Sequence, residues 1–325
     1  MGVDTAKSAL MPSENGTYRS QTHPPHEVWR RSLRGVVLLS GGVRINQLVA
    51  GLGRSLLDLP VTPTATLLSH WRDQAGTLAA TLPQEGRGLR VRAIVSKPGE
   101  LPQNVVPLAG VDVTTEYDRV ELRGTGGLLR DLMEDYGDDD SILVVHGNQV
   151  LVRPMPAVFS ALSAVDADIV LLAEPDGSSS GVHLMRCGAL REVRAKGYID
   201  FKEQALPALS QSHRVRVVRS ESPTGLRVRT LEQYIRALRA LTTGDILDRP
   251  DPYAEEWATT FSLAQQGARV DPGATIHDSV VMRGAAVGAR AVVVRSLVCE
   301  GATVPAGATI FDSVIASPTT AGRVA

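Results

Sequence analysis

The chain has 325 residues, of which 43% are apolar, enough to bury one large core and a smaller second one, so two domains are expected. Its 34 basic and 35 acidic residues leave a net charge of −1, which argues against nucleic acid or an anionic membrane surface as the main partner. Cys187 and Cys299 form no CxxC pair, which argues against a zinc site or a disulfide framework and fits a reducing compartment.

Residues 1–33 lack a continuous apolar run and are interrupted by Pro, Ser, Asn and Gly, so they are expected to form a flexible N-terminal extension and not a signal peptide. Ala6 stands where a myristoylation signal carries Ser or Thr, and no later run reaches the roughly 18 apolar residues of a membrane span. The expected location is the cytoplasm, with no membrane partner. From residue 34 onward, strand-like runs at 36–39, 91–95, 142–145 and 169–173 alternate with helical patterns such as 66–82 and 128–136. Continuous Val/Ile/Leu strands interleaved with helices predict an α/β layer structure covered on both faces. Ligands of such sheets sit beyond the carboxyl ends of the strands, which places residues 40–44 and His146-Gly147-Asn148 on one rim. A helical pattern at 230–241 ends this domain, expected to span 34–245. The DRPDPY run then marks a linker over 246–262.

Beyond the linker the pattern shortens. The pairs Val270/Ile276, Val287/Val293 and Val304/Ile310 are six apart, and ATIHDSVVM at Ala274 recurs as ATIFDSVIA at Ala308. Short-period repetition predicts a solenoid over 263–325. At about 18 residues per coil, roughly three coils fit. So short a stack exposes its ends and flat faces, which favours association with another copy.

Four stretches in the α/β region resemble, in order, the motifs of the sugar-1-phosphate nucleotidyltransferases (NDP-sugar pyrophosphorylases). Leu39-Ser40-Gly41-Gly42 is similar to the LAGG that opens that family's glycine-rich loop, and Gly124-Thr125-Gly126-Gly127 to its base-binding GTAG. Asn148 falls on the metal-binding aspartate of LxxGD, and Arg227, in LRVRTLEQY, on the second metal-binding aspartate. The resemblance implies a nucleotide-diphospho-sugar transferase-like three-layer α/β domain. The hexapeptide spacing is similar to the short left-handed parallel β-helix that follows it in many members.

The charged chemistry differs from the family pattern. The family's second loop glycine falls on Arg44, its catalytic arginine on Asn46 and its lysine on Arg54, leaving Arg44 and Arg54 as candidate catalytic cations. Mg²⁺ favours anionic oxygen ligands, so Asn148 weakens a metal site and an arginine at 227 cannot ligate one. Arg227 either meets phosphate oxygens in place of the cation or is a solvated surface arginine; Asn148 either contacts ligand or caps its turn. Lys202-Glu203, in GYIDFKEQALPAL, resembles a sugar-phosphate-binding segment and equally fits capping charges at a helix start. The seven histidines show no metal-ligand spacing, and neither GxxxxGK[ST] nor GxGxxG occurs.

The first reading is a degenerate family member that binds a nucleotide, sugar phosphate or NDP-sugar as a sensor or regulatory subunit. It would act as a homo-oligomer or beside a nucleotidyltransferase paralogue. The second is an active nucleotidyltransferase releasing pyrophosphate, and only this one needs Mg²⁺. The third is an assembly module built on the β-helix.

Overall fold

The computed structural model describes residues 24–41, 46–83, 88–96, 100–102, 106–118, 123–244 and 261–317. Its first part is a seven-stranded sheet built from β1 (Leu33–Leu39), β2 (Leu89–Val95), β3 (Val111–Tyr117), β4 (Ser141–His146), β6 (Ile169–Ala173), β7 (Ser179–Arg186) and β8 (Val215–Arg219). The order is β3-β2-β1-β4-β7-β6-β8, with β7 antiparallel to both neighbours and every other pairing parallel. A two-stranded ribbon, β5 (Gln149–Leu151) with β9 (Gly225–Arg227), lies beyond the carboxyl end of β4.

Three layers follow from the alternation of β1. Val36 and Leu38 join the core that holds the helices α1 (Pro25–Ser32), α3 (Leu67–Ala79), α5 (Met155–Ser163) and α8 (Leu231–Thr243), whereas Val37 joins a second core with α4 (Gly124–Leu132), α6 (Cys187–Arg191) and α7 (Leu206–Leu209). The short helix α2 (Gln47–Leu52) belongs to the first core through Leu48 and Leu52. Apolar side chains on both sides of β1 explain its unbroken GVVLL run. The α/β domain begins earlier than residue 34. Helix α1 docks through Trp29, which is 1% exposed, donates Nε1–H to the Val165 carbonyl and lies under the Arg186 guanidinium. Burying one such ring contributes about 3 kcal/mol, enough to fix a helix of eight residues to the sheet. Residues 1–23 and most of the expected linker, including DRPDPY, lie outside the described residues.

The second part is a parallel β-helix that starts at the buried Phe261, slightly ahead of the expected boundary. One face stacks β10 (Ser262–Ala264), β13 (Ser279–Val281), β16 (Leu297–Val298) and β19 (Val314–Ile315). A second stacks β11 (Arg269–Val270), β14 (Ala286–Val287) and β17 (Thr303–Val304), and the third β12 (Thr275–His277), β15 (Val292–Val294) and β18 (Thr309–Phe311). Ser262 pairs with Ser279, Arg269 with Ala286 and Thr275 with Val292, so each coil takes 17 residues and not the expected 18. The residue is saved at one corner of each coil, where Asp278, Arg295 and Asp312 turn the chain in the left-handed region at φ near 45°. Serines after those corners form a ladder: Ser279 Oγ accepts the Ser296 N–H and Ser296 Oγ the Ser313 N–H.

The two parts share one core. Phe261, Leu263, Val280, Leu297 and Cys299 belong to the same cluster as Leu48, Leu52 and Tyr234. Gly51 faces Val314 so closely that a Cβ there would collide with it, and Asp278 pairs with Arg239 of α8. No helix among the described residues is long and apolar enough to cross a membrane.

Candidate functional site

The carboxyl rim of the sheet assembles the first and third resembling motifs. Strand β1 ends in Leu39, whose carbonyl accepts the Gly147 N–H, and Ser40, whose N–H bonds the Ile94 carbonyl. Gly41 packs closely on Ser96 just after β2, where a Cβ would displace the Ser96 hydroxyl. Gly42 and Arg44 lie outside the described residues. The chain resumes at Asn46, which caps α2 by accepting the Leu48 and Val49 N–H groups on Oδ1 and donates Nδ2–H to the Arg229 carbonyl at 2.9 Å. Asn46 thus ties the start of α2 to the segment after β9.

Asn148 is 3% exposed, and its Oδ1 accepts the Ser40 hydroxyl at 2.7 Å. Its backbone carbonyl takes the Val228 N–H, and the next residue, Gln149, pairs across the ribbon with Arg227. Asn148 and Arg227 therefore lie on adjoining rungs of the ribbon, with Arg227 on the face it shares with Gln149. They do not fit a divalent cation: the one side-chain oxygen is engaged by Ser40, and the partner is a guanidinium, which has no lone pair to give. No group of three or more His, Cys, Asp or Glu among the described residues is arranged to hold a metal.

The rim is instead cationic. Arg227 is exposed and reaches the Ser179 carbonyl at 3.3 Å. Arg229 is half-buried with its Nε lacking any hydrogen-bond partner, and both burial and the adjacent Arg227 lower its pKa. Lys202 is exposed, and among the described residues none of these three cations has an ion-pair partner. The pKa of His146 falls to about 4 through burial first and then through the charges of Arg229, Lys202 and Arg227. His183 on β7 lies against it, ring centroids 6.5 Å apart, with its pKa lowered to about 3 by burial and then by His146 and Lys202. Both rings are neutral near pH 7.

The glycines of the second motif make close contacts within the fold. Gly124 turns at φ +69° beneath the Ile199 carbonyl, and Gly126 donates its N–H to that same oxygen at 2.9 Å. Gly127 packs on the Arg123 side chain, which is held by Asp131. These glycines admit the 199–201 segment. Thr125 lines a cavity of about 190 Å³ with Leu39, His146, His183 and Lys202. The backbone N–H groups of Lys202 and Glu203 are capped by Asp200 Oδ1 at 2.8 Å, which accounts for the helix start, while the Glu203 side chain is exposed.

Arg54 lies apart from these cations. It pairs with Glu300 of the β-helix at 2.9 Å and lies 3.9 Å from both Asp58 and Glu100, so its charge is spent joining the two parts of the chain. Sequence reasoning placed His146 on the rim without giving it a role and missed Arg229 and His183. The alternation of Arg227 and Arg229 on either side of an apolar Val228 was the available signal for the first. Nothing local marks the two histidines as partners, because an antiparallel pairing between β4 and β7 brings them together.

No family model and no curated protein matches the chain. Solved structures similar to it include a putative glucose-1-phosphate thymidylyltransferase from Bacillus anthracis in complex with a sucrose, at 15% identity and a TM-score of 0.49, covering 66% of this chain and 96% of that one. Another is HddC from Yersinia pseudotuberculosis, at 13% identity and a TM-score of 0.46, covering 64% and 99%. A third is the homolog of Mycobacterium tuberculosis rv0371c from Mycobacterium sp. strain JC1, at 20% identity and a TM-score of 0.42, covering 66% and 100%. At these identities and scores they assign neither a family nor an activity.

Proposed function

We propose that this chain binds a nucleotide, a sugar phosphate or an NDP-sugar at the carboxyl rim of its α/β sheet, using its own cations, with nucleotidyl transfer reduced or lost. In this reading it is a sensor or regulatory subunit of the sugar nucleotidyltransferase type. The observation that carries the reading is the set Lys202, Arg227 and Arg229, three cations whose charges reach neutral His146 and none of which forms an ion pair among the described residues. The half-buried Arg229 carries the cost of burial and of the neighbouring Arg227 charge, and an anionic ligand relieves it.

Phosphoryl-type transfer depends on charge that develops between the α-phosphate and the leaving pyrophosphate, and on groups preorganised to meet it. Here the Asn148 oxygen is engaged by Ser40 and Arg54 by acidic residues, so the cations that remain suit a bound phosphate better than a reacting one. Incubation with Mg²⁺, a panel of nucleoside triphosphates and a panel of sugar-1-phosphates tests the loss of chemistry. The expected outcome is no pyrophosphate release above background. Turnover with any pair would establish an active nucleotidyltransferase instead.

A further inference from the structure

A cavity of about 630 Å³ opens at the amino end of the sheet, between the last turns of α1 and α3 and the starts of β2 and β3. The seven residues of β1 separate it from the carboxyl rim by about 20 Å. Leu33 and Leu89, each 4% exposed, and Ala79 and Ala80 at the end of α3 give it an apolar side. No aromatic ring lines it, so a nucleobase would find nothing to stack on. The charged part of its lining is Arg30, Arg31 and Arg34, with no carboxylate among the described residues that line it.

Two of these arginines are partly engaged by the fold. Arg30 meets Glu27 at 2.9 Å and donates to the Thr81 carbonyl, and Arg34 donates to the Arg31 carbonyl at 2.7 Å. Cations that bind the last carbonyls of helices, as these do for α3 and α1, are ordinary caps. Capping does not account for the rest. Arg34 Nε is buried without a hydrogen-bond partner, because its approach to Asp140 at 3.2 Å lacks hydrogen-bond alignment. Arg31 is exposed and forms no hydrogen bond or ion pair among the described residues. A guanidinium carries five donors in a fork that matches a carboxylate or a phosphate, so donors are left over beside an apolar wall. An inorganic anion would leave that wall wet, and an apolar molecule would leave the charge unmet.

We propose that this cavity is a second ligand site, for an anion that carries a short alkyl body. Its carboxylate or phosphate is held by Arg31 together with Arg30 and Arg34, and its alkyl part lies against Leu33, Leu89 and Ala79. The site does not depend on what binds at the carboxyl rim.

The test is calorimetry of the full chain with hexanoate and with hexyl phosphate. Acetate and inorganic phosphate serve as the anion-only controls and hexanol as the body-only control. At least one of the two amphipathic anions should bind saturably and about tenfold or more tighter than any control, since charge and buried alkyl surface contribute together. The tighter of the two identifies the head group. Arg31→Ala, at an exposed position without a partner, should weaken that binding by about tenfold, the value of one charge-assisted hydrogen bond, and leave Tm unchanged. Ala80→Trp, at an exposed position of the lining, should fill the cavity and abolish binding. A variant carrying Arg227→Met and Arg229→Met should bind with undiminished affinity. Absence of saturable binding by both anions, affinity no better than the controls, or affinity unchanged in both Arg31→Ala and Ala80→Trp overturns the proposal. Binding that is lost in the Arg227/Arg229 variant and kept in Arg31→Ala belongs to the rim and overturns it as well.

Discussion

The two ends of the same sheet treat charge in opposite ways. At the amino end the arginines have carboxylates: Arg34 meets Asp140 at 3.2 Å, Arg186 meets Asp168 at 3.6 Å, Arg191 pairs with Asp138, and Arg214 pairs with Asp166 and Asp168. Asp168 also accepts the Arg214 N–H. Although partial burial opposes it, the hydrogen bonds from Arg214 and the charges of Arg214 and Arg186 hold its carboxyl below the usual range. At the carboxyl end Lys202, Arg227 and Arg229 gather without such partners among the described residues. Paired charges stabilise strand starts and turns; the half-buried Arg229 beside Arg227 marks the rim as a candidate place for an anion.

Breaking the rim should give the largest effect. Replacing both Arg227 and Arg229 by Met is expected to weaken binding of pyrophosphate or a nucleoside diphosphate by about 100-fold or more, since each charge-assisted hydrogen bond contributes about 1.5–3 kcal/mol. Calorimetry reads the loss, and an unchanged Tm separates it from misfolding. Next in size is Gly124→Ala. Its φ of +69° and the Ile199 carbonyl above it leave no room for a Cβ, so a loss of about 2–4 kcal/mol in denaturant unfolding is expected. If the glycine existed only to approach a base, that substitution would cost affinity with little stability.

The histidines sharpen the contrast by pH. His146 and His183 have folded-state pKa values near 4 and 3, below the ordinary 6.5, so the unfolded chain binds more protons between pH 6.5 and 4. Stability should therefore be full above pH 6.5 and fall as the pH drops, by up to about 1.4 kcal/mol per pH unit per histidine. His183→Phe should flatten that limb; the same slope in the variant would place the effect elsewhere. Amino-end pairs should matter less: Asp168→Asn is expected to lower Tm by a few degrees and leave ligand affinity unchanged. Glu300→Gln, which releases Arg54 from a partly exposed pair, should cost under about 1 kcal/mol. A large drop in nucleotide affinity from Glu300→Gln would show that Arg54 serves the site after all.

Much of this was legible in the residues. The unbroken apolar run of β1 announced a strand covered on both faces, and its Leu39-Ser40-Gly41 end does lie beside His146-Gly147-Asn148. The 17-residue coil was also present, since Val270, Val287 and Val304 fall at that interval, but the six-residue spacing within each coil pointed to 18. The single left-handed corner residue that makes the difference is an aspartate or an arginine, types that do not by themselves announce such a turn. Strand β7 and its antiparallel place were hidden by SSSGVHLMR, whose polar start masks a strand that is buried along most of its length. The roles of the glycines in GTGG were not legible either, because their contacts come from Ile199, far along the chain. Helix α1 escaped notice since PHEVWRRS buries only Trp29 and keeps its other residues polar or partly exposed.

The central claim is that the rim holds phosphate with protein cations in place of a metal. Titration of the full chain with pyrophosphate and with NDP-sugars, once in EDTA and once in Mg²⁺, tests it most directly. Saturable binding with the same affinity in both solutions, lost in the Arg227/Arg229 double variant, is the predicted result. Binding that appears only with Mg²⁺, or that survives the double variant, would contradict it.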